Sequence, residues 1–218
     1  LFIKEKETTM KVLIFGATGG TGQQLVAQAL TQGHEVTAFV RNPAKLKTTD
    51  HRLHIVQGNV LHYAAVEKAM TGQEAVLCAL GAPASDRTTM RADGTKHIIQ
   101  AMTACGVRRL VCQTSLGFGD SVALLPFHFK YFVVPFILRH AFADHALQEQ
   151  AIKESGLDWV IVRPGNMTNG PRTGHYRHGF AGDDRSIKLK VSRADVAEFM
   201  LKQLTDNHYL HQTPGISY

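Results

Sequence analysis

Past residue 10 the chain alternates between two patterns. Short runs rich in β-branched and apolar residues, at 11–15, 35–40, 53–57, 75–80, 109–114 and 159–163, predict strands. Longer segments whose apolar positions recur every three or four residues predict helices over 21–32, 89–104, 144–154 and 192–204. In the first of these Leu25, Val26, Ala29 and Leu30 share one face, and Gly33 supplies the stop. Gly106 and Gly156 end the second and third in the same way, and Ser192 followed three residues later by Asp195 opens the fourth with something close to a capping box. Strands alternating with helices require a parallel sheet with crossover connections. The expected fold is therefore α/β, a single Rossmann-type doubly wound parallel sheet with helices on both faces.

Two stretches break the rhythm. Residues 116–143 insert an aromatic, proline-bearing segment after the fifth strand, and 165–190 form a long basic loop after the sixth. Both follow the carboxyl ends of strands, the edge at which open α/β sheets bind ligands. At the same edge, between the first strand and the first helix, stands Gly16-Ala17-Thr18-Gly19-Gly20-Thr21-Gly22. Backbone N–H groups of such a turn can approach a pyrophosphate at the positive end of the helix dipole. Its Gly-x-x-Gly-x-x-Gly spacing is one residue longer than the Gly-x-Gly-x-x-Gly fingerprint, but strand, turn and helix agree with one another. An acidic residue ending the second strand would hold a ribose 2′-hydroxyl and repel a 2′-phosphate. This chain has Arg41 there and Lys45 four residues on, so NADP(H) is the expected cofactor, against the plainer alternative of two solvated surface cations.

At 218 residues the chain suffices for one core. Residues 10–218 are expected to form one NAD(P)-binding Rossmann domain. Residues 1–9, with lysines and glutamates before Met10, read as an N-terminal extension and not as a signal peptide. Cys78, Cys105 and Cys112 are widely spaced, which implies neither a disulfide framework nor a zinc site and suits a cytoplasmic location. The net charge of +6 is scattered and no nucleic-acid module accompanies it, so anionic small molecules are expected as partners and nucleic acid is not. The most apolar stretch, 122–142, is interrupted by Pro126, His128, Lys130, Pro135, Arg139 and His140, which argues against a membrane span; no membrane partner is expected. The 12 histidines lack metal-ligand spacing, and no metal is expected. The expected assembly is a monomer or homodimer.

The glycine-rich phrase, taken with Val40-Arg41-Asn42 and Val162-Arg163-Pro164-Gly165, resembles the atypical short-chain dehydrogenase/reductases with an NAD(P)-binding, NmrA-like fold. Within that group the chain is most similar to the biliverdin reductase B branch of NADPH-dependent flavin reductases. The likeness runs from Met10 nearly to the C-terminus and includes 94–102, Thr114-Ser115, Glu154-Ser155-Gly156-Leu157 and 199–205. It implies that Arg41 and Lys45 meet the 2′-phosphate, that Asn59 and Val60 lie beside the adenine, and that Leu80, Gly81 and Ala82 run under the nicotinamide. It also makes Ser115 the active-site serine and brings Pro164 and Asn166 to the cofactor, Asn166 standing where that branch has a histidine near its substrate. Extended members of the superfamily carry a Tyr-x-x-x-Lys pair as their acid; the corresponding slots here are Ala141 and His145, so the tyrosine acid is absent. His145 is the proton donor that remains.

Hydride transfer to a conjugated acceptor asks less of the protein, which chiefly holds the acceptor against the nicotinamide while solvent supplies the proton. Ser115 would orient the nicotinamide or the acceptor by a hydrogen bond, or would simply cap a strand end. The aromatics of 124–136 suit a flat acceptor at the mouth of the site, and equally a core or a dimer surface. Arg172, His175, Arg177, His178 and Arg185 suit carboxylates or phosphates on an anionic acceptor, or an ordinary solvated loop. The expected function is an NADPH-dependent oxidoreductase acting on a flavin, quinone-like or other conjugated small molecule. Two alternatives stand beside it: a non-catalytic NADP(H) redox sensor of NmrA type, motivated by the missing tyrosine, and a pathway-specific ketone reductase or isomerase with His145 as acid.

Overall fold

The protein is described here by a computed structural model covering residues 9–83, 85–180, 184 and 186–218. The strands found among these residues are β1 (Lys11–Phe15), β2 (Glu35–Val40), β3 (Leu53–Gln57), β4 (Ala75–Cys78), β5 (Arg109–Gln113), β6 (Asp158–Pro164), β7 (Asn166–Thr168), β8 (Arg177–His178), β9 (Lys190–Ser192) and β10 (Gly215–Ser217). The α-helices are α1 (Gly20–Thr31), α2 (Tyr63–Met70), α3 (Met90–Cys105), α4 (Arg139–Lys153) and α5 (Arg193–Lys202). Eight strands form one sheet in the order β3-β2-β1-β4-β5-β6-β10-β8, and β7 pairs with β9 in a separate ribbon. All pairs are parallel except β8 with β10. This is the doubly wound arrangement, and the chain reverses its direction of winding between β1 and β4.

β1 lies between β2 and β4, and its residues from Val12 to Phe15 are buried, which is why it reads as an unbroken apolar run. Alternate side chains feed opposite cores. Val12 and Ile14 pack with Leu25 and Val26 of α1 and with Phe199 and Met200 of α5. Leu13 and Phe15 pack with Met70 of α2, Ile98 and Met102 of α3, and Ile152 of α4. Cys78 and Cys112 face each other in register across β4 and β5, both buried and both free, while Cys105 is free and exposed.

The structure departs from the sequence reading at several points. The helix α2 was not anticipated: it is only eight residues long, and its N-cap, His62, provides no side-chain hydrogen bond. α4 begins at Arg139, five residues before Asp144, the expected start. Asp144 serves a different helix: its carboxylate accepts the Arg91 and Ala92 backbone N–H groups at 3.1 and 2.9 Å and so caps the first turn of α3. The Ser192 cap forms, with Asp195 N donating to Oγ at 3.0 Å, but Asp195 does not complete the box. Its carboxylate instead takes the N–H groups of Thr173 and Gly174 and the hydroxyl of Tyr218, tying the 165–190 loop and the C-terminal residues to α5. Within that loop β7, β8 and β9 are short strands and not irregular chain. In the 116–143 insertion, Phe129–Leu138 winds as a wide helix running directly into α4, and none of its ten side chains is buried.

Candidate cofactor cleft

A cleft of about 580 Å³ opens at the carboxyl ends of β1, β2, β4 and β5, over the point where the strand order reverses. Its floor is the glycine-rich turn. Gly16 adopts φ +76°, and a Cβ there would stand 2.2 Å from the Ala79 carbonyl oxygen, so the turn can cross the end of β4 only with glycine. Gly19 N donates to Gly16 O at 2.9 Å and closes the turn. The first turn of α1 carries no side-chain cap, because its N-cap is Gly19, and it contains no acidic residue. Its N–H groups therefore remain for an anion at the positive end of the helix. Arg193, at the start of α5, lays its side chain over Gly20, held by hydrogen bonds to Met167 O at 3.1 Å and Asn169 Oδ1 at 2.8 Å. This adds a cation at the same place.

At one end of the cleft Arg41 and Lys45 are exposed, and neither makes an ion pair among the described residues. Asn42 caps the turn carrying Lys45 by accepting the Ala44 N–H at 3.1 Å. Asn59 turns the chain by accepting the Leu61 N–H at 3.1 Å, which brings Val60 into the wall. Gly58 packs flat on Phe39, where a Cβ would come within 2.4 Å of the ring. A dinucleotide fits this set of groups: a glycine cradle, an uncapped helix start, and unpaired cations where a 2′-phosphate would sit.

Leu80, Gly81, Ala82, Ser115 and His145 also line the cleft, and Gly81 and Ala82 share a smaller hollow with Arg41. Ser115 Oγ donates to Leu116 O at 3.0 Å and stays half-buried. His145 is buried, stacks on Phe118 with 6.1 Å between centroids, and points Nδ1 at Gln148 Oε1, 3.1 Å away. Burial, assisted by the nearby Arg91 cation and opposed by the Gln148 hydrogen bond, brings its pKa down to about 4. At neutral pH the ring is therefore an uncharged hydrogen-bonding group and holds no spare proton for general-acid work. Because its pKa lies below the ordinary 6.5, the unfolded chain takes up the proton first as pH falls. Stability should thus decline from about pH 6.5 to about pH 4, by up to about 3 kcal/mol from this residue alone. Urea unfolding of a His145→Gln variant at pH 7 and pH 4 should show that share of the acid sensitivity removed.

A buried ionic network lies against these residues. Arg91 pairs with Asp144 at 3.0 Å and donates to Ala82 O at 3.0 Å, steadying the wall next to His145. Glu149 receives Arg163 Nε at 2.8 Å, Arg163 Nη2 at 2.6 Å and the Thr114 hydroxyl at 2.9 Å. Burial works against the Arg163 charge, but the carboxylates of Glu149 and Asp120 outweigh it and raise its pKa.

The cleft gathers Gly16, Thr18, Gly19, Gly20, Thr21, Arg41, Lys45, Asn59, Val60, Leu80, Gly81, Ala82, Ser115 and His145. Three residues expected at the cofactor lie elsewhere. Gly22 is buried behind the turn, its α-carbon facing Gly16 O. Pro164 is buried and accepts the Leu116 N–H. Asn166 is exposed and drawn onto β9, donating to Leu189 O at 2.8 Å. The cationic loop also stays away. Arg177 pairs with Asp184, Arg172 lies 3.9 Å from Glu198, His178 bonds the Tyr209 hydroxyl at 2.7 Å, and His175 is exposed outside the cleft; Arg185 lies outside the described residues. Nor do the aromatics of 127–136 line it. Phe39, Arg91, Gln113, Met167 and Arg193 do, none of which carried a sequence signal, since each arrives by tertiary packing; Thr114, which also lines it, was marked only as part of the family likeness.

Residues 16–207 match the NAD(P)H-binding family. An uncharacterized chloroplast protein of Arabidopsis thaliana is 34% identical over 90% of this chain and 72% of its own length. The chain spans only about a third of the next two curated relatives. Among solved structures, a short-chain dehydrogenase/reductase of Veillonella parvula in complex with NADP superimposes with a TM-score of 0.80 at 19% identity, covering 97% of this chain and 95% of the other. An anaerobilin reductase of Escherichia coli O157:H7 does so with a TM-score of 0.79 at 22% identity, covering 95% and 96%. At these identities the two superpositions establish a shared fold.

Proposed function

Because the chain belongs to the NAD(P)H-binding family, we propose that it is an NADPH-dependent reductase of a flavin, quinone-like or other flat, conjugated small molecule. The observation that carries the cofactor choice is the pair Arg41 and Lys45, two exposed cations without ion-pair partners among the described residues, on the cleft rim where a carboxylate would favour NADH. The Veillonella protein, which holds NADP on the same fold, is consistent with it.

When bound, NADPH supplies the hydride. The uncapped turn of α1 and Arg193 take the pyrophosphate, while Arg41 and Lys45 take the 2′-phosphate and Asn59 and Val60 flank the adenine. Leu80, Gly81 and Ala82 form the wall at the reacting end. There the Ser115 hydroxyl and the neutral His145 imidazole orient the acceptor by hydrogen bonds. With His145 uncharged at neutral pH, the proton that completes reduction comes from water. A conjugated acceptor, which spreads the incoming charge, tolerates this better than an isolated ketone, and the ketone reductase and isomerase readings lose ground accordingly. The anaerobilin reductase neighbour, whose name denotes a reductase, is compatible with the same reading. The three free cysteines suit a reducing compartment, for which the cytoplasm is our proposal.

The test compares NADPH with NADH in the wild type and in Arg41→Ala. Loss of one charge-assisted contact should cut the NADPH preference about 30-fold, or about 2 kcal/mol. An unaltered ratio would remove the 2′-phosphate assignment. Tight NADPH binding without turnover on any flavin or quinone acceptor would instead favour the sensor reading.

A further inference from the structure

The wide helix Phe129–Leu138 presents an apolar surface that nothing among the described residues covers. Apart from Lys130 every one of its residues is apolar or aromatic, yet none is buried. Phe136 is 76% exposed, Phe127 just before the helix 70%, and Phe132 59%, with Tyr131 and Ile137 also exposed. A contiguous exposed patch of this composition marks an interaction site.

The charges around it identify the partner. No acidic residue occurs from 121 to 143, whereas Lys130 and Arg139 are exposed and His128 and His140 accompany them. Beside the patch, Arg87, Arg139 and His140 share a groove of about 570 Å³ with Phe136 and Ile137, so cationic and apolar groups line one concavity. The bracketing acids are occupied elsewhere: Asp120 with Arg163, and Asp144, buried, with Arg91 and the start of α3. A two-fold contact with a second copy would set these cations against themselves. An anionic bilayer surface complements them, with aromatics entering the acyl boundary and lysine and arginine meeting lipid phosphates.

We propose that 127–140 is a membrane-docking element that seats the protein on an anionic lipid surface without crossing it. Among the described residues no helix is long and apolar enough to span a bilayer, so the element lies on the surface. The sequence reading expected no membrane partner, on the argument against a spanning segment, and this proposal departs from it.

Flotation of the full chain with phosphatidylcholine vesicles containing about one-third phosphatidylglycerol tests this. The wild type should float with these vesicles and stay behind with phosphatidylcholine alone. Phe132→Ser/Phe136→Ser should lower the partition coefficient at least about tenfold while leaving NADPH affinity unchanged, because neither residue lines the cofactor cleft. Lys130→Glu/Arg139→Glu should do the same through charge and serves if the serine variant misfolds. In Phe132→Trp, emission should shift to the blue on adding anionic vesicles. Failure of the wild type to float, flotation of both double variants undiminished from that of the wild type, or a lipid-free dimer that the serine variant dissociates would each overturn the proposal, the last in favour of a second copy.

Discussion

Replacing Gly22 with alanine is expected to weaken NADPH binding about 100-fold, close to 3 kcal/mol, although Gly22 does not line the cleft. A Cβ at that position would stand 2.0 Å from the Gly16 carbonyl oxygen and 2.7 Å from the Ala17 α-carbon. Both are backbone atoms, and the turn they belong to is fixed against Ala79 by Gly16, so no rotamer change relieves the clash. α1 must move away from the turn, taking with it the N–H groups that would face the pyrophosphate. Gly19 makes a useful contrast, because its Cβ would meet only Gly16 O, at 3.2 Å. Gly19→Ala should therefore perturb the turn less. Fluorescence titration with NADPH, together with thermal unfolding to separate binding from stability, checks both. Equal affinities for Gly22→Ala and the wild type would show that the helix start is not the phosphate site.

Glu149→Leu is expected to produce the largest loss of stability. Glu149 and Arg163 are both buried, and Glu149 accepts two hydrogen bonds from the guanidinium and one from Thr114. Removing the carboxylate leaves a buried cation whose remaining acidic contact is the exposed Asp120, a situation that costs about 3–5 kcal/mol. For a chain of this size the melting temperature should fall by roughly 10 °C. The double change Glu149→Leu/Arg163→Met should recover much of that loss, since the penalty comes from orphaning one charge and not from lacking the pair. A double variant as unstable as the sum of the two single ones would contradict this account.

The parts of the fold that were legible in the sequence are those fixed by local pattern. β1 and β2 begin and end where their apolar runs do, because central parallel strands are buried on both faces and tolerate few polar positions, whereas β3, at the sheet edge with no buried residue, was legible from its β-branched composition alone. α1 and α3 are bounded by residues that prefer non-helical backbone, Gly33 and Gly106 among them. The glycine-rich turn was legible for the same reason: Gly16 and its neighbours signal a close approach in their very lack of side chains. What could not be read depends on partners distant in sequence. Asp144 looks like the cap of its own helix until α4 is set against α3. Arg193 becomes a cleft residue only because α5 packs beside α1. The polarity of His145 was visible, but its loss of charge follows from burial under Phe118 and beside Arg91. The aromatic run at 127–136 suited a core, a substrate mouth or a surface equally well, and only its exposure separates them.

The two aspartates that bracket the acid-free segment have a consequence for how such a protein can diversify. Asp120 is fastened to Arg163 on β6, and Asp144 to Arg91 and the first turn of α3, so the chain between them is clamped at both ends to elements that do not depend on its contents. Residues 127–136 contribute no atom to the cleft wall. The segment can therefore be lengthened, shortened or exchanged as a cassette while the nucleotide site is inherited intact. A protein built this way can change what its surface binds without altering its cleft.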